Sequence, residues 1–164
     1  MLDLEYRESA ILVRIRAMPR QVLTAELLDG LTAAIAYIGP DRPIILTGAG
    51  SVFAPDLDPA PGPIRAAASN RLSRVLNRIR SHRLPVVAAI NGDAIGAGYK
   101  LAEAADIRIM SGGVIQPFSR SGMRYRAPAA VAAGLVEHRC EPAELVSLAM
   151  REVGVQRTRI AVPG

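Results

Sequence analysis

The sequence predicts an α/β fold in which helices flank a mainly parallel sheet. Short apolar runs typical of buried strands alternate with longer segments whose apolar residues recur at helical spacing. Turns rich in glycine and proline separate these segments. Strands that alternate with helices in this way pair in parallel through right-handed crossovers. The 164 residues fit a single domain.

The first part of the chain contains a strand, a helix and a second strand. Ala10–Arg16 ends in strict alternation, which predicts a strand with one solvated face. Thr24 is a suitable helix cap, and an apolar pattern runs from there to about Tyr37. Pro43–Thr47 has the composition of a short buried strand. Residues 48–62 are rich in Gly, Pro and Asp, so a loop is expected there.

A second helix is expected from about Ile64 to His82. Its apolar side chains fall on one face, namely Ile64, Ala68, Leu72, Val75, Leu76 and Ile79. Arg71, Arg74 and Arg78 form a separate basic stripe, for which a solvated face is the ordinary interpretation.

A buried strand is expected at Pro85–Ile90, followed by a turn at Asn91–Gly98. The turn leads into a short helix that runs to Ala104, and a further strand is expected at Asp106–Met110. Residues 112–128 show no clear period. A last helix is expected from about Pro142 to Val153, followed by a short tail.

Composition excludes several classes of protein. With two Phe, four Tyr and no Trp, the core must consist of Ala, Val, Leu and Ile. One cysteine excludes a disulfide framework and a four-cysteine metal site. No apolar run reaches the ~18 residues of a membrane helix, and Met1–Glu5 is too acidic to open a secretory signal, so a cytoplasmic location is expected. The net charge of +5 is compatible with phosphate-bearing ligands but selects none.

Two glycine-bearing turns follow strands of the predicted parallel sheet, at residues 47–53 and 91–98. Ligands bind at the carboxyl ends of such strands. Gly96-Ala97-Gly98 opens a helix, so its free backbone N–H groups are suited to a developing oxyanion. Each turn alone is equally compatible with glycines that merely permit tight bends.

Taken together, these turns resemble those of a known family. Residues 44–50 (IILTGAG) followed by Phe53, residues 84–92 (LPVVAAING) continuing through Arg108, and residues 130–137 (AVAAGLVE) are similar in order and spacing to the crotonase family, the enoyl-CoA hydratases and isomerases. The similarity extends from near the N-terminus to about residue 150.

The resemblance implies a spiral of ββα turns that binds an acyl thioester. Two backbone amides would hold the thioester carbonyl, and alignment without gaps assigns them to Leu57 and Ala97. The coenzyme A moiety would lie near a set of residues comprising Phe53, Ala54, Leu57, Asp58 and Gly96. A coenzyme A thioester is expected as substrate or ligand, with no permanently bound cofactor and no metal.

The acid–base positions depart from the family pattern. Lys100 stands where hydratases carry the first glutamate, and Phe118 follows the Gln116-Pro117 pair where the second is expected. Hydration needs a base for water and an acid for the α-carbon, so ordinary hydratase activity is not expected. Lys100 would act as an electrostatic helper, or else pair with Glu103 on the helix surface. Asp93 is the first candidate for a replacement proton carrier, ahead of Asp56 and Glu103.

Family members are usually longer, so the chain is expected to be one shortened domain spanning residues 1–164. It would comprise a spiral core over about 1–110 and an abbreviated helical region over about 111–164. The parts missing relative to the family normally supply the helices that wall the acyl pocket and build the trimer-type homo-oligomer. Three interpretations stay open: an acyl-CoA lyase or isomerase of crotonase type in fatty acid metabolism, a non-catalytic relative that binds a ligand or partner, and RNA binding through the Arg71, Arg74 and Arg78 stripe.

Overall fold

The chain winds into a coil of ββα turns, as the resemblance implies. The computed structural model describes residues 1–17, 20–118 and 122–161, so the parts of the predictions that cover 18–19, 119–121 and 162–164 lie outside the described residues. In chain order the elements are β1 (Leu2–Tyr6), β2 (Ile11–Ile15), α1 (Ala25–Ile38), β3 (Ile44–Gly48), β4 (Val52–Ala54), α2 (Pro63–Ser81), β5 (Val86–Ile90), β6 (Asp93–Ile95), α3 (Ala97–Glu103), β7 (Ile107–Met110), β8 (Ile115–Gln116), α4 (Ala127–Ala132), β9 (His138–Arg139) and α5 (Leu145–Ala161).

The first turn places both of its strands, β1 and β2, in one sheet, and each of the next three ββα turns contributes one strand to each of two sheets. The larger sheet has the order β1-β2-β3-β5-β7-β9, and the smaller sheet has the order β4-β6-β8. Only the β1–β2 pair is antiparallel among these strands. Successive turns therefore stack on one another, and the predicted α/β class with a mainly parallel sheet is confirmed.

Helices cover both faces of the larger sheet. Ile44 and Leu46 of β3 pack into the main core with residues of α1 and α2. Ile45, which points to the opposite face, packs with Leu145 and Ala149 of α5. Because both faces are buried, β3 and β5 need apolar residues at successive positions, and this explains their uninterrupted hydrophobic runs.

The helices α1 and α2 occur close to their predicted limits. The Leu27 amide donates to Thr24 Oγ1 at 3.1 Å, so Thr24 caps α1 as expected. The buried face of α2 matches the prediction except at Ile64, whose exposed fraction is 57%. Ile64 lies in the first turn of α2, which projects beyond the core.

Several short elements were not predicted or were placed wrongly. The expected loop over 48–62 contains β4, the expected turn over 91–98 contains β6, and β1 was not predicted. The last helix begins at Leu145, after a 3-10 turn at Pro142–Glu144, and extends to Ala161 rather than ending near Val153. Strands of two or three residues form because the neighbouring ββα turn supplies hydrogen-bond partners, and local composition does not reveal such a partner.

Candidate functional site

The Asn91 side chain connects the two glycine-bearing turns through hydrogen bonds. Its Oδ1 accepts a hydrogen bond from the Gly48 amide at 2.8 Å, and its Nδ2 donates to Gly50 O at 3.0 Å. The turns also approach closely, since a Cβ on Gly92 would lie 2.1 Å from Ser51 O. The glycine at 92 is thus required by the close contact between the two turns.

The amides of Leu57 and Ala97 converge on one point. Both donate to Asp56 Oδ1: the distance is 2.8 Å from Leu57 N and 3.0 Å from Ala97 N. The structure therefore brings together the two donors assigned by resemblance, although they lie forty residues apart in the chain. The acceptor between them is a carboxylate oxygen of the protein itself.

The Leu57 amide is held in place by the segment that precedes α1. Leu23 N donates to Asp56 O at 2.8 Å, and Asp58 N donates to Leu23 O at 3.1 Å, so the loop runs alongside Leu23 on both sides of Leu57. The buried Asp58 carboxylate accepts from Arg20 Nη2 at 2.8 Å and from Ala60 N at 3.0 Å. Asp58 therefore stabilises the loop that positions the first donor.

The Ala97 amide is positioned by the tight junction between β6 and α3. Gly96 adopts φ +53°, which favours glycine, and its amide donates to Gln116 O at 2.7 Å. A Cβ on Gly98 would lie 1.9 Å from Ala54 O. The start of α3 thus rests directly on the strand that leads to Leu57, and this contact sets the separation of the two donors.

A cavity of about 710 Å³ opens beside the two amides. Six of the residues that line it matter for its chemistry: Asp56, Leu57, Arg65, Ala97, Lys100 and Phe118. Asp56 is the only acidic residue in the described part of the lining. The volume of the cavity lies within the range of small-molecule sites.

Two cations line this cavity, and neither has an ion partner in the parts of the chain that the structure describes. Lys100 is exposed, and within residues 1–17, 20–118 and 122–161 it forms no ion pair with Glu103 or with any other carboxylate. Arg65, at the start of α2, is likewise unpaired over those ranges. Sequence reasoning did not identify Arg65, because only the path of the 55–62 loop brings it to the cavity.

Other candidate residues lie away from the cavity. The Asp93 carboxylate accepts from the Val114 amide at 2.9 Å and does not line the cavity, so its position gives no support for a role as proton carrier. Phe53 and Ala54 are fully buried in β4. Phe53 borders a separate cavity of about 390 Å³ on the far side of the strand, beside Ile15 and Ala17. Of the residues expected near coenzyme A, Leu57 and Gly96 line the larger cavity, whereas the buried Asp58 does not.

The remaining titratable groups serve the fold. Burial raises the pKa of the Tyr99 phenol, whose O–H donates to Leu135 O at 2.8 Å. Burial also raises the pKa of the Cys140 thiol, so it is not an activated nucleophile. Arg71 Nε contacts Asp29 of α1 at 3.1 Å, so one member of the basic stripe already has an internal partner. No group of three potential metal ligands occurs among the described residues.

Sequence similarity to known proteins assigns the chain to a family. Residues 5–140 match the family model described as enoyl-CoA hydratase/isomerase. The chain belongs to the enoyl-CoA hydratase/isomerase family. It is 34% identical over 114 residues to a probable enoyl-CoA hydratase of Mycobacterium tuberculosis, covering 68% of this chain and 47% of that protein. A probable enoyl-CoA hydratase of Rhodobacter capsulatus is 36% identical over 122 residues, covering 70% and 48%.

Solved structures of the family share the fold. An enoyl-CoA hydratase of Mycobacterium smegmatis superposes with a TM-score of 0.84 at 19% identity, over 98% of this chain and 79% of that one. The enzyme of Bacillus anthracis gives a TM-score of 0.82 at 23% identity, over 99% and 77%. The chain spans about half the length of the curated relatives it matches. No helix in the described ranges combines the length and the apolar character needed to cross a bilayer.

Proposed function

We propose that this family member binds an acyl thioester of coenzyme A in the cavity of about 710 Å³, with the thioester oxygen held by the amides of Leu57 and Ala97. The convergence of both donors within 3.0 Å of one oxygen carries the proposal. Donors fixed at this separation stabilise negative charge on the oxygen of an enolate without reorganising. Family membership is consistent with this ligand class.

The chemistry of the cavity favours enolate stabilisation over hydration. The resemblance assigns Lys100 and Phe118 to the positions of the two expected glutamates; both line the cavity, and Asp56 is the only acid in the described lining. A base for water and a separate acid for the α-carbon are therefore not both present there. Any turnover would be of lyase or isomerase type, with Lys100 as the electrostatic helper. Without turnover, the same site would serve a non-catalytic binding protein.

Replacing Ala97 by proline tests the amide pair directly. Proline is tolerated at the first position of a helix, so Ala97→Pro removes one donor while α3 can still form. With Asp56 replaced by alanine in every variant, so that no internal acceptor competes for the amide, we expect the affinity for octanoyl-CoA, measured by isothermal titration calorimetry, to fall about tenfold from the lost hydrogen bond. Ala97→Gly keeps the N–H and should bind nearly as well as the chain that retains Ala97. Equal affinity of the two variants would contradict the proposed role.

Lys100 should affect the acyl end of the ligand. Its exposed side chain lines the cavity one turn after Ala97, so Lys100→Gln should weaken octanoyl-CoA binding about fivefold, as expected for a solvated charge. Binding of free coenzyme A should stay unchanged. Arg80→Gln is the matched control, since Arg80 is an exposed residue of α2 outside the cavity lining. Equal losses for acyl-CoA and free coenzyme A would assign Lys100 to the phosphates instead.

A further inference from the structure

The point at which the Leu57 and Ala97 amides converge is occupied by a side chain of the same loop. Asp56 Oδ1 accepts both N–H groups, at 2.8 Å and 3.0 Å. We infer that Asp56 is an internal ligand that closes the amide pair, and that an external oxygen binds there only after Asp56 leaves. The part of this inference that concerns acyl thioesters rests on the proposed function.

The closed arrangement leaves no donor for a second oxygen. Each backbone amide has a single hydrogen, and in both cases it is directed at Asp56 Oδ1. A carboxylate is a stronger acceptor than a neutral thioester carbonyl, because its hydrogen bonds are charge-assisted. Asp56 also directly precedes Leu57, so its high effective concentration gives it a further advantage over a free ligand.

The residues around Asp56 are compatible with an open state. Asp56 lines the cavity together with the cations Arg65 and Lys100, neither of which has an ion partner in the described parts of the chain. A displaced carboxylate therefore remains among positive charges rather than in an apolar pocket, where its burial would be costly. The backbone of the loop need not move, because Asp56 O stays bonded to Leu23 N.

The neighbouring acid cannot replace Asp56 as the internal ligand. Asp58 Oδ2 bonds to Arg20, and Asp58 Oδ1 bonds to the Ala60 amide, so both of its oxygens are directed away from the amide pair. Removing the Asp56 carboxylate should consequently leave the pair open.

Two replacements of Asp56 test the closure by ligand affinity. Asp56→Ala removes the internal acceptor, whereas Asp56→Asn keeps a neutral one of the same size. Since apparent affinity scales with the fraction of molecules in the open state, we expect octanoyl-CoA to bind at least about tenfold more tightly to Asp56→Ala than to the parent, with Asp56→Asn in between. Asp41→Asn, which removes an exposed carboxylate far from the cavity lining, should bind like the parent. Equal affinity of Asp56→Ala and the parent would overturn the inference while leaving the proposed function intact.

An NMR measurement tests the closure without coenzyme A. In Asp56→Ala, the amide protons of Leu57 and Ala97 should shift upfield and exchange faster with solvent, and added acetate should reverse the shift. In the parent, acetate should leave both resonances unchanged. If the resonances are the same in Asp56→Ala and Asp41→Asn, or if acetate moves them equally in the parent, the inference is wrong. Failure of every variant to bind octanoyl-CoA, with the acetate response present, would overturn only the proposed function.

Discussion

Replacing Gly98 by alanine is expected to destabilise the protein by at least about 3 kcal/mol and to abolish ligand binding. The added Cβ would lie 1.9 Å from Ala54 O and 2.7 Å from Pro55 O, both of which are backbone atoms. No change of rotamer relieves such a contact, so α3 must move away from the strand that leads to Leu57. The expected loss exceeds the ordinary cost of overpacking for this reason.

Gly154 provides the matched control for this substitution. It lies within α5, and a Cβ there would meet nothing within 4 Å. Gly154→Ala should therefore stabilise the chain by up to about 1 kcal/mol through helix propensity. Urea unfolding of both variants gives the comparison, with octanoyl-CoA titration of Gly98→Ala if it folds. Comparable stability of the two variants would contradict the close contact between α3 and β4.

Replacing Arg108 by methionine should cost about 2–4 kcal/mol of unfolding free energy. The Arg108 side chain is 15% exposed, pairs with Glu137, and donates through Nη1 to Ala105 O at 2.8 Å and Glu103 O at 3.0 Å. It thus satisfies carbonyls at the C-terminal end of α3, where positive charge is favourable. Methionine leaves these carbonyls without their side-chain donor and the Glu137 carboxylate without its ion partner, although the backbone amide of residue 108 still donates to Glu137 Oε2 at 2.8 Å.

Thermal unfolding measures this effect against an exposed ion pair. At about 2–4 °C per kcal/mol for a chain of this size, Arg108→Met should lower Tm by roughly 5–15 °C. Arg83→Met breaks the exposed pair with Asp41 and should change the stability by no more than about 0.5 kcal/mol. Arg108→Lys should recover only part of the loss, since an ammonium group cannot reproduce the guanidinium fork. Similar Tm values for Arg108→Met and Arg83→Met would refute the assigned role.

The extent to which sequence predicts this fold depends on where each element finds its partners. The α1 and α2 helices and the strands β3, β5 and β7 contain enough apolar residues to be recognised alone. Leu2–Tyr6 alternates apolar and acidic residues, so β1 has a recognisable strand period although it is absent from the predicted elements. The three residues of β4 and of β6 have no such signal, because their bonds come from another turn of the coil.

In the candidate site too, some features can be predicted from the sequence, whereas others depend on contacts between distant segments. The positions of Leu57 and Ala97 were assigned from resemblance, and their amides do meet in space. That Asp56 lies between them depends on one side-chain orientation and on the spacing of two distant segments, neither of which is encoded locally. Arg65 enters the cavity for a similar reason, since the loop before α2 determines which face of the first helical turn borders the site.

The order of strands in the larger sheet has a consequence for how the chain folds. Neighbouring parallel strands pair residues that are distant in sequence, as Ile44 and Val86 are. Closing such long loops before any contact is gained makes folding slow, on a scale of roughly milliseconds to seconds. During that time β3 and β5 expose apolar residues and unpaired backbone groups to other chains. Refolding is therefore a competition between first-order pairing within one chain and concentration-dependent association, and dilution favours the native state.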